Sequence, residues 1–429
     1  MAKKIIKGSS SPLRGEITPP GDKSISHRAL ILGSLANGIS VVKDFLISDD
    51  TLSTTNAMRS LGIPIDINGT QVEISGKGVL GLRGSQKTID CGNSGTTTRL
   101  LTGLLSAQKF TSILTGDKYL QQRPMKRVVG PLSQMGAQIT GNESGNKLPL
   151  TITGSELHGI SYKLPVASAQ VKSAILLAGM YAQGETEVIE PEASRDHTER
   201  MLSYLGVPIE KSGNTIKINK VEKIEAGEII VPADLSSAAF FIVAALISPN
   251  SEILIKNVGI NPLRTGIIDI LKNMDGDISI INERDVNGEP IGDIVARSSN
   301  LHATKISGAL IPKAIDELPL AAVAASFAQG ETIIKDAKEL RVKETDRISA
   351  MASELGKLGV QVEEFEDGML VRGAETITGA KCSSWGDHRI AMAIAVAATR
   401  ANGETEIADA DCVSVSYPGF FEVIDELRQ

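Results

Sequence analysis

Six times along its 429 residues the chain enters an apolar helix of small side chains. These helices are expected to begin near Ser26, Gly95, Ala169, Ser236, Glu317 and Asp387, at spacings of 69, 74, 67, 81 and 70 residues. So even a period marks one supersecondary unit used repeatedly. Three of the helices are followed by nearly the same words: Gly184-Glu-Thr-Glu-Val-Ile-Glu190, Gly330-Glu-Thr-Ile-Ile-Lys-Asp336 and Gly403-Glu-Thr-Glu-Ile-Ala-Asp409. Gly38-Ile-Ser-Val-Val-Lys-Asp44 is a looser copy. Each reads as a glycine that stops a helix, then a short alternating strand. A second, amphipathic helix ends at Leu61-Gly62, Met135-Gly136, Leu205-Gly206, Met274-Asp275 and Leu358-Gly359, before a β-branched alternation. The last helix, from about Pro418 to Gln429, stops where a sixth ending would fall.

The expected unit is therefore strand, helix, strand, helix and paired strands, an α/β fold repeated six times. Helices apolar on every side need burial all round, which puts them inside and the sheets outside. Six units divide as three plus three. The proline-stiffened phrases Thr18-Pro19-Pro20-Gly21 and Val231-Pro232-Ala233-Asp234 are the natural breaks. The expected domains are residues 21–231, and residues 1–20 with 232–429.

Composition narrows the function. Aromatic residues are 3% of the chain, leaving little stacking surface for bases, and a net charge of −7 gives no basic footprint for nucleic acid. An anionic small molecule is still admissible, because a locally basic cleft focuses field inside an acidic protein. The basic start lacks the apolar run of a signal peptide, and no window reaches the ~18 uninterrupted apolar residues of a membrane span. Cys91, Cys382 and Cys412 have no metal-like spacing and read as reduced thiols of a cytoplasmic protein.

Unusual residues collect where the apolar helices begin: Gly21-Asp-Lys-Ser-Ile-Ser-His-Arg28, Cys91-Gly-Asn-Ser-Gly-Thr-Thr-Thr-Arg99, Val166-Ala-Ser-Ala-Gln-Val-Lys172, Ala314-Ile-Asp-Glu317 and Trp385-Gly-Asp-His-Arg389. Helix starts carry unpaired N–H groups and partial positive charge, so several of them converging would hold an anion. Taken alone, Ser24, Ser26 and Thr96 read as helix caps. Arg123, Arg195, Arg264 and Arg347 recur 10 to 12 residues before the endings of the second helices. A cation at a helix start is unfavourable and asks for a compensating anion; two anionic ligands, or one with several anionic groups, would supply it. Asp316 lies among apolar residues. Glu344, between Lys343 and Arg347, reads either as a site carboxylate or as a capping and salt-bridge residue. His27 is ambiguous, and His388, between Asp387 and Arg389, is the better acid/base candidate. No Gly-x-Ser-x-Gly elbow, cysteine–histidine pair, phosphate-loop or dinucleotide fingerprint is present, and acids interleaved with basic residues do not suit a metal.

Gly21-Asp-Lys-Ser-Ile-Ser-His-Arg28, Gly92-Asn-Ser-Gly-Thr96, Arg341-Val-Lys-Glu-Thr-Asp-Arg347 and Asp387-His-Arg389 resemble the signatures of the 5-enolpyruvylshikimate-3-phosphate synthases, from about Lys23 to Tyr417. Ala167-Ser-Ala-Gln-Val-Lys-Ser173 and Ser194-Arg-Asp-His-Thr198 resemble the bacterial branch often called class II. The resemblance implies a two-domain inside-out α/β barrel, each domain made of three βαβαββ units, with substrates bound between the domains. It implies a monomeric transferase of the shikimate pathway, the target of glyphosate, that needs no metal or cofactor. Its substrates would be shikimate-3-phosphate and phosphoenolpyruvate. Lys23, Ser24, Arg28, Ser168, Gln170, Ser194, Arg195, Asp316 and Lys343 are implied to meet the first. Lys23, Asn93, Gly95, Arg123, Gln170, Arg347, His388 and Arg389 are implied to meet the second. Asp316 would take the proton of the 5-hydroxyl and Glu344, aided by Lys23, would protonate the enolpyruvyl carbon; His388 is the further proton donor. Val415 stands where enterobacterial members carry a lysine, and no ligand role is assigned there.

Two other readings are weighed. The UDP-N-acetylglucosamine enolpyruvyl transferases share the fold and the donor, but have Lys-Asn where this chain has Lys23-Ser24, and a cysteine in the loop that here runs Thr115-Gly-Asp-Lys-Tyr-Leu-Gln-Gln122. A non-catalytic anion-binding protein would need the helix-start cations but neither Asp316 nor Glu344.

Overall fold

A computed structural model describes residues 3–428; Met1, Ala2 and Gln429, the outermost residues of the expected domains and of the last helix, lie outside the described residues. The six apolar helices run Lys23–Leu35, Gly95–Leu105, Ala169–Gly179, Leu235–Ile247, Leu318–Ser326 and His388–Ala398. They are buried almost throughout, and every residue of Leu235–Ile247 is buried. Five are fixed at the start by a side chain that accepts from the first turn: Asp22, Ser94, Ser168, Asp234 and Asp387. The helix Leu318–Ser326 opens with proline instead, which needs no N–H partner there. Ser24, Ser26 and Thr96 are thus not the caps. Ser26 Oγ accepts from the Leu46 N–H at 3.2 Å, and Thr96 Oγ1 accepts from Gln170 Nε2 at 2.9 Å.

Around these helices stand separate small sheets. In each, a short strand runs parallel to the strand that follows an apolar helix, as Ser161–Lys163 does beside Thr186–Ile189. Antiparallel neighbours complete the sheet, as Thr215–Ile218 and Ile209–Ser212 do here. Glu228–Ile230 fills the parallel place in the first sheet and Arg14–Ile17 fills it in the fourth. The sixth sheet has three strands, because Lys4–Lys7 pairs with Glu404–Ala408 where the missing pair of strands would lie. Inside-out therefore describes the layering, and no sheet among the described strands closes on itself. The second helices end as their sequences imply: Gly62, Gly136, Gly206 and Gly359 have φ of 89°, 99°, 80° and 91°, and Asp275 takes φ 64° in the same role.

Backbone contacts divide the chain into Gly21–Val231 with Val286–Glu289, and Met1–Pro20 with Pro232–Asp285 and Pro290–Gln429. Each unit has its own apolar core. The turn Val286–Glu289 was not singled out in the sequence. It groups with Gly21–Val231 because Asn287 Oδ1 accepts from the Ile230 N–H at 2.7 Å and Arg200 Nη1 donates to the Gly288 carbonyl at 2.7 Å.

Small residues let the inner helices approach closely. A Cβ at Gly103 would come 2.2 Å from the Ala174 carbonyl oxygen on the neighbouring helix. Gly103→Ala is expected to lower the unfolding free energy by ~1–3 kcal/mol through overpacking. Gly130→Ala, in the helix Lys126–Gln134 with nothing within 4 Å of the new atom, should instead raise it by ~0.5–1 kcal/mol. Urea titration of both variants checks the pair, and a stable Gly103→Ala protein would contradict the close crossing.

Candidate active site

In the Gly21–Val231 unit, cations gather where three inner helices begin. Asp22 accepts from the Ile25 N–H at 2.9 Å, which makes Lys23 and Ser24 the opening residues of their helix. Lys23 Nζ lies 3.1 Å from Asp50 Oδ2. Arg28 is buried and held on three sides: Nε donates to Thr198 Oγ1 at 2.6 Å, Nη2 to Ser173 Oγ at 2.7 Å and Nη1 to the Ser24 carbonyl at 2.9 Å. Burial brings its pKa down to about 10; the nearby charge of Arg195 acts in the same direction, while Glu199 and Asp22 oppose it. His27 is buried with Nδ1 2.7 Å from Thr54 Oγ1. Burial first, then the charges of Lys23 and Arg28, hold it neutral, so it is part of the packing.

At the second helix start, Asn93 Nδ2 donates to Asp117 Oδ2 at 2.8 Å. A Cβ on Gly95 would lie 3.0 Å from Arg123 Nη1, 3.1 Å from Arg123 Cζ and 3.2 Å from Arg99 Nη1, so two guanidiniums crowd that backbone. Gln170, on the third helix, accepts from Arg99 and donates to Thr96. Ser168 is the cap of that helix, at 3.5 Å from the Val171 N–H. Ser194 turns both its N–H and its hydroxyl towards Glu190.

The other unit gathers carboxylates around one cation. Arg347 opens the helix Arg347–Lys357 and is fully buried. Its Nε lies 2.7 Å from Asp387 Oδ2, its Nη2 2.7 Å from Glu344 Oε2 and its Nη1 3.3 Å from Asp316 Oδ1. Burial works against its charge, but Asp387, Glu344 and Asp316 outweigh it and raise its pKa further above the ordinary arginine value. Arg389 Nη1 donates to the Asp316 carbonyl at 3.2 Å, and its Nη2 lies 3.9 Å from Asp316 Oδ2. The pKa of Lys343 is lowered, mainly by burial and also by Arg347, against the pull of Asp316. His388, the first residue of its helix, is buried with Nδ1 3.9 Å from Asp387 Oδ1. Among the described residues no group of three or more His, Cys, Asp or Glu is arranged to hold a metal, and no helix is long and apolar enough to cross a membrane.

Residues 7–424 match the family model of EPSP synthase (3-phosphoshikimate 1-carboxyvinyltransferase). The chain belongs to the EPSP synthase family. It is 54% identical over 417 residues to a 3-phosphoshikimate 1-carboxyvinyltransferase of Citrifermentans bemidjiense, covering 97% of each chain. With the enzyme of the same name from Geotalea daltonii it shares 56% identity over 408 residues, 95% of each chain. It also superimposes on the EPSP synthase of Acinetobacter baumannii with a TM-score of 0.89, at 43% identity over 99% of this chain and 98% of that one.

Within this family member, the residues singled out in the sequence fall into two sets by unit. Lys23, Ser24, Arg28, Asn93, Gly95, Arg123, Ser168, Gln170, Ser194 and Arg195 belong to the Gly21–Val231 unit; Asp316, Lys343, Glu344, Arg347, His388 and Arg389 belong to the other. Of the four recurring arginines, only Arg347 lies inside its helix; the others precede theirs. Arg264 meets a protein anion, with Nη2 3.0 Å from Asp234 Oδ1 and 2.8 Å from Ser236 Oγ. Arg264 and Arg347 thus each meet carboxylates of the protein itself. Arg99, Asp50 and Asp387 were missed as partners of the site. Arg99 stood in a quoted phrase, but its approach to Gly95 depends on how two helices meet.

Removing the cation tests the carboxylate cluster. Arg347→Leu should lower the unfolding free energy by ~3–5 kcal/mol, because Asp387 would be left buried without its partner. Urea unfolding measures this; a variant as stable as the unaltered protein would contradict the pairing.

Proposed function

We propose that the residues gathered in the two units carry out the activity of the family: transfer of the enolpyruvyl group of phosphoenolpyruvate to the 5-hydroxyl of shikimate-3-phosphate, with release of phosphate, a step in aromatic amino-acid biosynthesis. The single observation that carries the assignment of roles is that Asp316 and Glu344 share one buried guanidinium, Arg347. Two carboxylates fixed on one cation can differ in protonation without leaving place.

Asp316 is the base. Its contact with Arg347 is the longest of the three, 3.3 Å against 2.7 Å for Glu344 and Asp387, so it is the carboxylate least committed to that cation. It accepts the proton of the 5-hydroxyl as that oxygen bonds to C2 of phosphoenolpyruvate. Glu344 protonates C3, giving a tetrahedral intermediate. Glu344, now a carboxylate, takes a C3 proton back as phosphate departs, which restores the double bond. Lys23 and His388 are the alternative donors. Arg28, Arg195, Ser24, Ser168, Ser194 and Lys343 serve shikimate-3-phosphate; Asn93, Gly95, Arg123, Arg347, His388 and Arg389 serve phosphoenolpyruvate; Lys23 and Gln170 serve both. Guanidiniums suit these ligands because they meet phosphate and carboxylate with paired donors. One chain carries every one of these groups, which supports action as a monomer. Its three free thiols support a reducing cytoplasm.

Asp316→Ala should lower kcat at least ~10²-fold while binding of shikimate-3-phosphate largely survives. Phosphate release assayed with shikimate-3-phosphate and with UDP-N-acetylglucosamine measures both rate and acceptor. An unimpaired variant would remove the base, and release only with the nucleotide sugar would refute the acceptor.

Gly95→Ala tests the other unit. The new methyl would meet Arg123 at 3.0 Å, displacing the guanidinium rather than the backbone. KM for phosphoenolpyruvate should rise about tenfold or more, and KM for shikimate-3-phosphate much less. Equal changes in both would contradict the assignment of Arg123.

A further inference from the structure

Beneath the cations of the Gly21–Val231 unit lies a buried charge cluster that no step above uses. Lys172, on the helix Ala169–Gly179, is fully buried. Its Nζ is 2.8 Å from Glu190 Oε2 and 2.7 Å from Glu199 Oε1, and it donates to the Ser194 carbonyl at 3.2 Å. Burial works against its charge, but Glu199 and Glu190 outweigh it and raise its pKa. Glu190 in turn accepts from the Ser194 N–H at 3.2 Å and from the Ser194 hydroxyl. Every polar group of Ser194 is therefore engaged by this pair, and Arg195 is the next residue.

The cluster also reaches Arg28. Ser173, next to Lys172, and Thr198, next to Glu199, both accept from Arg28, at 2.7 Å and 2.6 Å, and their hydroxyls lie 2.7 Å apart. Two adjacent residues on one helix thus interlock with two adjacent residues of the helix His197–Tyr204. For stability alone, apolar side chains of the same size would serve as well as a buried ion cluster. What the ions add is fixed geometry.

We propose that Lys172 and Glu190 are positioning residues for shikimate-3-phosphate: they hold the Ser194–Arg195 segment and the seat of Arg28 in register, so that both guanidiniums are presented to that substrate. This rests on the proposal above that Arg28 and Arg195 are ligands of that substrate.

The test is a steady-state comparison of Glu190→Gln and Lys172→Met with the unaltered enzyme, together with their unfolding midpoints. Glu190→Gln keeps the size of the side chain and removes its charge, so it carries the test alone if Lys172→Met does not fold. Both should raise KM for shikimate-3-phosphate about tenfold, while kcat and KM for phosphoenolpyruvate change by less than about threefold. Glu190→Asp, which can still pair with Lys172, should recover part of the loss. A merely structural role would lower the unfolding midpoint without separating the two KM values, and that result, or equal rises in both, overturns the proposal. Arg195→Ala run in parallel separates the causes. If it leaves KM for shikimate-3-phosphate unchanged, the ligand assignment fails and the positioning role with it. If it raises that KM while the Glu190 variants do not, only the positioning role fails.

Discussion

The constraint on which the rest depends is that six helices must be buried along almost their whole length. A helix such as Leu235–Ile247, with no exposed residue, tolerates polar groups in two places: where they close a local hydrogen bond, or at its ends, where the backbone itself is polar. Caps and charged side chains therefore collect in the first turns. Lys23, Gln170, His388 and Arg389 all lie within three residues of a helix start. The chemistry stands where packing leaves room for it.

Electrostatics then separates the two units. In Gly21–Val231, Arg28 is pushed down to about 10 by burial with help from Arg195, and two further guanidiniums crowd Gly95. Such a set favours an anion. Around Arg347 the balance is reversed, with three carboxylates on one cation. That guanidinium keeps its charge, whereas the pKa of the nearby Lys343 is lowered, mainly by burial.

The layering and the helix starts were legible in the sequence because each rests on local signals: periodicity, a glycine stop, a cap. The helix expected near Gly95 begins there, and those expected near Ser26 and Glu317 begin at Lys23 and Leu318. The turn Val286–Glu289 was not legible, because its partners Ile230 and Arg200 lie more than fifty residues away in the chain. Candidate residues carried by compact phrases, such as Arg341-Val-Lys-Glu-Thr-Asp-Arg347, could be singled out from the sequence. Their supports could not: nothing local joins Arg347 to Asp387, or Lys172 to Glu190. The repeated arginines pointed to anions, but the sequence had no means of telling a ligand from Asp234, which answers Arg264.

That distinction bears on how such cations are to be read. An arginine whose anion is a buried carboxylate is held in place at all times and can orient other groups, as Arg347 does for Asp316 and Glu344. An arginine held by neutral acceptors, as Arg28 is by two hydroxyls and a carbonyl, is fixed in direction while its charge is left unbalanced by them. Neutral acceptors preserve the attraction for an incoming phosphate; a carboxylate in the same place would have neutralised it. The nature of the acceptor, more than the presence of the arginine, therefore decides whether its charge is balanced by the groups that hold it.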